Sequence, residues 1–357
     1  MTKVAIAGAG AVGFTSACLL RLLGNDVTLW SPSGRGTMGL RENNKITTTG
    51  SVNGTFDVNF VEDPKLLVES AKLILIAIPA YGQRSIFNQL VPYLTDEHTV
   101  LITGGQMGLG DLYLSKLLAD AGKKTLIAVL NGPMTMGRKL GPNDAVQVPP
   151  KKMARISAIP ADQTDRAIAV VSEAFGDRFK GFGSALEVGL MAMGGIVHSG
   201  LVMGNITRME EGEEWCGYYY VTESISRLIN ALDQDRRAVA KAFGIDSPSA
   251  AGIFTQGQRP DATVREVLFP LTYERTFRNG PRKIEHRYVE EEIPYNLVTL
   301  ERFGRIAGIQ TPNVTRVIDM YQIMRDRDYR TKNTMAVALG IDELSVDQIN
   351  QKFTQGF

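Results

Sequence analysis

Three glycines and a histidine are the residues of this chain whose types and spacing could do chemistry. Gly8-x-Gly10-x-x-Gly13 directly follows the apolar run Val4–Ala7 and opens a helical-period stretch, Gly13–Leu23. A dinucleotide needs a tight turn, backbone it can approach closely, and free N–H groups at a helix N-terminus. The three glycines supply these in order, the third by letting the helix pack on the strand. Gly8, Ala9, Gly10, Ala11, Val12 and Gly13 are therefore candidates for holding a pyrophosphate.

The next apolar run, Val27–Trp30, ends in Ser31-Pro32-Ser33-Gly34-Arg35. An Asp or Glu at this point would bind the adenosine ribose hydroxyls of NAD and repel a 2′-phosphate. Ser31, Ser33 and Arg35 stand there instead, and a guanidinium pairs with phosphate through a fixed fork of donors. The reading is NADP ahead of NAD. Pro79, in Ala77-Ile78-Pro79-Ala80, and the stretch Thr103-Gly104-Gly105-Gln106 each end a further apolar run, where ligands of doubly wound sheets lie.

The chain has three histidines. His98 follows Thr95-Asp96-Glu97 and reads as a solvated loop residue; His286 lies in the charged run Arg282–Arg287, ordinarily a wet face. His198 differs, because LMAMGGIVHSGLVMGN around it is apolar and rich in small residues. A histidine in such a helix needs a polar partner, and imidazole is the side chain most easily tuned for proton transfer near neutral pH. Glu290-Glu291-Glu292 could supply the partner, although three consecutive carboxylates cannot all point at one face.

These residues need elements to position them. Val4–Ala7, Val27–Trp30, Leu73–Ile78, Val100–Thr103 and Leu126–Val129 read as strands alternating with helices, the pattern of a parallel sheet covered on both faces. Asn53-Gly54, between β-branched runs in Lys45–Phe60, predicts an inserted hairpin, and Ala145–Val148 and Ala154–Ile159 predict further strands. From about Leu186 strand signals vanish and helical-period stretches such as Val221–Gly244 and Val314–Met324 take over. The expected fold is an α/β N-terminal Rossmann domain, residues 1–183, with a doubly wound, mostly parallel sheet, followed by an all-α domain, residues 184–357, with the chemistry at their junction.

Composition narrows the function classes. The 357 residues, 44% hydrophobic and 22% charged, suit globular domains, and a formal charge of +1 without long like-charge blocks leaves no nucleic-acid footprint. Cys18 and Cys216 form neither a disulfide framework nor a metal-ligand spacing, so no metal is expected. No secretory leader is read at the N-terminus, and no segment reads as long and apolar enough to cross a bilayer, Leu186–Val202 being interrupted by Glu187, His198 and glycines. A cytoplasmic enzyme acting on small molecules, without nucleic-acid or membrane partners, is the expectation.

At several separated places the chain resembles the octopine/nopaline (opine) dehydrogenase family. The similar segments are Gly194–His198 with Asn205 beyond it, Ala231–Gly244, His286–Tyr295, Gly308–Asn313, and Gly137-Arg138-Lys139 followed by Val146 and Lys151. The resemblance covers nearly the whole chain. It implies a reductive coupling of an amino acid to a 2-oxo acid, with His198 as general acid/base and Glu292, or Glu291, as its partner. It also implies that Arg138, Arg287 and Asn205 bind substrate. A homodimer is the expected assembly, closed twofold dimers being the commonest soluble oligomers. Ser199 stands where the family often has Pro, Glu292 where it usually has Asp, and Gly194-Gly195 where Asn is usual before the histidine. The competing readings are a carbonyl reductase of the ketopantoate-reductase or glycerol-phosphate-dehydrogenase kind and a non-catalytic NADP-binding regulator. The former would use a Lys near the domain junction, and none lies in Glu187–Asn205.

Overall fold

The computed structural model describes residues 1–104, 106–274 and 280–357, so Gly105 of the expected cofactor loop lies outside the described residues. The chain divides into two compact units. One comprises Met1–Gln106, Gly110–Gly189 and Gln351–Phe357; the other comprises Met107–Leu109 and Leu190–Asn350. The division thus falls at 189/190 rather than 183/184, and two short segments change sides. Hydrogen bonds explain both exchanges: Phe357 N donates to Ser115 Oγ in the first unit, and Asn333 Nδ2 donates to the Gly108 carbonyl in the second.

The first unit is built on β1 (Lys3–Ala7), β2 (Asp26–Trp30), β3 (Lys45–Gly50), β4 (Gly54–Asp57), β5 (Asn59–Val61), β6 (Leu73–Ile76), β7 (Thr99–Ile102), β8 (Leu126–Leu130), β9 (Gly137–Lys139), β10 (Asp144–Gln147), β11 (Ala154–Ile159) and β12 (Phe179–Gly181). Eight of them form one sheet in the order β12-β11-β8-β7-β6-β1-β2-β5. Every residue of β6, β7 and β8 is buried, which is why these strands read as unbroken apolar runs. Pairing is parallel from β5 through β8; β11 then runs antiparallel to β8. The strand order reverses at β1, which lies between β2 and β6, so the glycine turn after β1 sits at the topological switch point.

The hairpin β3–β4 forms, but Gly54 already belongs to β4 and pairs with Thr48, so the connection is residues 49–53 rather than a two-residue Asn53-Gly54 turn. The hairpin joins β10 and β9 in a second sheet, order β4-β3-β10-β9. That sheet was not foreseen as one, because the pairing that joins its two halves, Thr47 with Asp144, lies between strands about a hundred residues apart. Buried Gln147 ties it to the first helix, Ala11–Leu22, through the Thr15 carbonyl.

The second unit is helical. The expected single helix through His198 is two, interrupted at 191–193: Ala185–Leu190, all but its last residue in the first unit, and Gly194–Met203 in the second. Contrary to the bilayer reading above, Ala185–Met203 does have the length and composition of a membrane span, but 72% of its most apolar window is buried within the protein. It is core. The long helix Glu223–Ala242 buries Ile229, Leu232 and Val239 on one face and carries a polar network in its middle. Arg236 Nε donates to Asp233 Oδ1 at 2.7 Å and its Nη2 to the Pro248 carbonyl at 2.6 Å, while Asp233 Oδ2 accepts from Ala250 N. Asp235 Oδ2 accepts from Asn313 N and Val314 N, capping the helix Pro312–Arg325. Buried charges are tolerated here because Arg236 and Asp233 pair with each other and the Asp235 carboxylate is held by hydrogen bonds.

One buried carboxyl in the first unit lacks such partners. Asp111 is 2% exposed; its Oδ1 accepts from Leu112 N, and its Oδ2 has no partner among the described residues. Burial pushes it up to about 7, against about 3.9 in an unfolded chain. Between those values the folded protein holds a proton that the unfolded chain has released, so stability falls as pH rises from ~4 to ~7. Asp111→Asn should therefore be more stable than wild type at pH 8 and lose that advantage below pH ~4. Urea titrations at the two pH values check this, and an equal gap at both would refute it.

Candidate active site and dinucleotide cradle

The turn after β1 has the shape that a pyrophosphate requires. Gly8 adopts φ +119°, a conformation that L side chains rarely take, and its N–H donates to the Trp30 carbonyl at 2.8 Å. A Cβ there would collide with the Ala77 carbonyl oxygen, and a Cβ on Gly13 with the carbonyl oxygen of Gly8. Gly10 is different: it is exposed, and nothing lies within 4 Å of where its Cβ would be. It caps Ala11–Leu22 without a side-chain hydrogen bond, leaving the first helical N–H groups, including those of half-buried Ala11 and Val12, for a ligand. Backbone clearance and an uncapped helix end fit a dinucleotide.

Ser31 is buried, and its Oγ accepts from Gly36 N at 3.0 Å, pinning the short turn Arg35–Thr37 to the end of β2. Ser33 and Arg35 are exposed. Pro79 immediately precedes the helix Ala80–Leu90. Gln83 on that helix was missed in the sequence. It is fully buried, and its Nε2 donates to the carbonyls of Ile78 at 3.2 Å and Gly104 at 2.9 Å, tying together the loops that end β6 and β7. A lone glutamine four residues into a helix gives no sequence signal of this.

In the second unit His198 and Glu292 meet. His198 Nδ1 lies 2.8 Å from Glu292 Oε1, with the two side chains 13% and 5% exposed. Glu292 opens a turn of π-helix, Glu292–Leu297, whose wider winding carries Pro294. Asn296 Nδ2 donates to the other carboxylate oxygen at 2.6 Å. Burial pushes the Glu292 carboxyl up to about 7, and the Arg287 guanidinium, 3.8 Å from Oε1, opposes that rise. The three adjacent carboxylates separate as their spacing demands: Glu290 pairs with Arg327, Glu291 with Arg287, and Glu292 with His198. The choice between Glu291 and Glu292 is thereby made in favour of Glu292.

The small residues around the histidine have a steric purpose. A Cβ on Gly194 would lie 2.9 Å from Glu292 Oε1, and one on Gly195 would overlap Asn296 Cβ. Glutamate is one methylene longer than aspartate, and the room it takes is room that glycine leaves. Tyr288 stacks on the His198 ring, centroids 3.6 Å apart and planes 11° from parallel, and Tyr321 Oη donates to the Ser199 carbonyl at 2.8 Å.

Comparison with known proteins supplies the family. The family model of the NAD/NADP octopine/nopaline dehydrogenase alpha-helical domain matches residues 182–325, and that of the NAD-dependent glycerol-3-phosphate dehydrogenase N-terminus matches residues 3–136. An opine dehydrogenase of Arthrobacter sp. (strain 1C) is 25% identical over 347 residues, 96% of each chain. The chain belongs to the opine dehydrogenase family. It is an NAD(P)H-dependent oxidoreductase of the opine dehydrogenase type. Among solved structures, an octopine dehydrogenase in complex with NADH and agmatine superposes with a TM-score of 0.79 at 14% identity, covering 99% of this chain and 98% of that one. A yersinopine dehydrogenase with NADP+ bound gives 0.71 at 14%, covering 96% and 98%.

The other residues singled out by the family resemblance have varied surroundings. Arg138 lies in β9 of the second sheet, paired with Val146. Arg287 is half exposed and 3.2 Å from Glu291. Asn205 is buried, and its Nδ2 donates to the Leu201 carbonyl at 2.9 Å, closing the end of the helix that carries His198. That bond gives Asn205 a structural task not foreseen from its residue type. His286 is no plain wet residue: its Nδ1 accepts from Tyr288 N, and its ring meets the Tyr288 ring edge-on at 4.7 Å. His98 likewise has partners, with Nδ1 2.8 Å from Thr95 Oγ1.

The glycines of the opine dehydrogenase cradle separate folding from binding. Gly10→Ala should keep the wild-type melting temperature within a degree or so while weakening NAD(P)H binding ~10-fold or more, since its methyl enters only the space a pyrophosphate would take. Gly13→Ala should lower the melting temperature as well. Scanning calorimetry and fluorescence titration check both; a destabilised Gly10→Ala that binds normally would contradict the assignment.

Proposed function

We propose that this enzyme joins the amine of an amino acid to a 2-oxo acid and reduces the resulting imine to a secondary amine dicarboxylate, using NADPH in preference to NADH. The observation that carries the reading is the 2.8 Å contact of His198 with a buried carboxylate in a chain of this family. Condensation forms a C–N bond and expels the carbonyl oxygen as water, so a proton must reach that oxygen. His198 supplies it. With Nδ1–H donated to Glu292, proton exchange with the substrate falls to Nε2, and the carboxylate favours the charged ring. The bound nicotinamide supplies the hydride for the imine carbon. Arg138 and Arg287 bind the substrate carboxylates; a guanidinium has five donors, so Arg287 can hold Glu291 and a ligand together.

NADPH preference is supported by buried Ser31 where an acid would select NAD, and by exposed Ser33 and Arg35 beside it. Free Cys18 and Cys216 suit a reducing, cytoplasmic compartment. A closed twofold dimer is the assembly we propose, to be read as twice the 39.0 kDa chain mass in light scattering at micromolar concentration.

The central test is NADPH oxidation that requires both an amino acid and a 2-oxo acid; equal oxidation with the oxo acid alone would point to a carbonyl reductase. His198→Ala should lower kcat by roughly 10²–10⁴-fold with NADPH affinity nearly unchanged. Glu292→Gln should act in the same direction, because an amide can hold the ring but cannot stabilise its positive charge. Retained turnover in His198→Ala would remove the acid/base assignment. Comparing kcat/KM for the two cofactors in wild type and Arg35→Ala tests the preference, which should narrow in the variant; a wild type that favours NADH would overturn it.

A further inference from the structure

Lys139 ends β9, the outer strand of the second sheet, and its ammonium group reaches the dinucleotide cradle. Its Nζ donates to the Gly36 carbonyl at 2.7 Å, lies 3.4 Å from the Ala9 carbonyl, and sits 3.7 Å above the centre of the Phe14 ring. These contacts belong to three parts of the cradle: the turn that contains Arg35, the glycine-rich loop, and the helix that follows it. All three partners are uncharged. Among the described residues no carboxylate lies within ion-pair distance of Lys139, and partial burial lowers its ammonium to about 8. A cation taken partly out of water normally has an anion beside it. The position after β2, where an acid would bind the adenosine ribose hydroxyls in a fold of this kind, holds Ser31, whose hydroxyl accepts from Gly36 N.

We propose that Lys139 is a second cation for the 2′-phosphate of NADP, acting from the second sheet beside Arg35; this rests on the cofactor preference proposed above. Gly36, whose carbonyl Lys139 holds, is the chain neighbour of Arg35, so the ammonium is bonded to the same short turn that carries the guanidinium. A phosphate dianion gains charge-assisted hydrogen bonds from both. A 2′-hydroxyl offers no charge to either, so Lys139 contributes to choosing between the dinucleotides as well as to holding one.

The alternative is that Lys139 merely clamps the Gly36 and Ala9 carbonyls, in which case both dinucleotides would depend on it alike. Calorimetric titration of the full-length protein with NADP+ and with NAD+, without substrate, separates the two. Lys139→Gln should weaken NADP+ binding roughly 10-fold or more while changing NAD+ by no more than about threefold, and Lys139→Arg should restore most of the loss. Equal weakening of both ligands overturns the proposal in favour of the clamp. If wild type prefers NADP+ and Lys139→Gln keeps that preference in full, the proposal fails while the cofactor reading stands. If wild type itself shows no preference for NADP+, both fall.

Discussion

A carboxylate cannot be buried without partners, and the arrangement around Glu292 follows from that constraint. Its two oxygens are taken by His198 and Asn296, and Arg287 faces it from the adjoining helical turn. For these groups to meet, the helix Gly194–Met203 must approach the π-helical turn more closely than side chains normally permit. Gly194 and Gly195 make the approach possible. The apolar, small-residue character of this helix is thus the condition for seating a carboxylate under an imidazole. Tyr288, stacked on the ring, and Tyr321, bonded to the next carbonyl, fix the helix and the ring plane.

The first unit applies the same logic to a ligand rather than a side chain. Gly8 and Gly13 are required by the backbone packed against them, whereas Gly10 faces open space and is required only by what binds there. Around this turn the protein provides loops held by buried polar side chains: Gln83 between the ends of β6 and β7, and Ser31 under the Arg35 turn. Neither touches its neighbours through charge. The cations are Arg35, exposed, and Lys139, which arrives from a separate sheet.

Much of this was legible along the chain. The strands after which the glycines, Ser31 and Pro79 come could be read because each is a continuous apolar run or is bounded by turn residues, signals that lie within a few residues of one another. The signal for the hairpin β3–β4, Asn53-Gly54 between β-branched runs, is of the same local kind, although the connection itself spans residues 49–53. The break at 191–193 escaped because Met191-Ala192-Met193 are good helix formers and nothing in them marks an end. The separation of Glu290, Glu291 and Glu292 onto three partners could be expected in outline, but its assignment depended on Arg327, Arg287 and His198, which converge only in the fold.

What the sequence determined by itself is therefore what short-range chemistry writes: the glycine fingerprint, the missing acid after β2, the alternation of strands with helices, the change to helices near residue 186, and a histidine in surroundings that demand a polar partner. What only the tertiary structure decided is everything joined across long separations. Lys139 reaches Ala9 and Gly36 across 130 and 103 positions, His198 reaches Glu292 across 94, and the second sheet pairs Thr47 with Asp144. Local preferences are summed over a few residues, whereas these pairings are selected by burial of the whole core, and no window of sequence contains both partners.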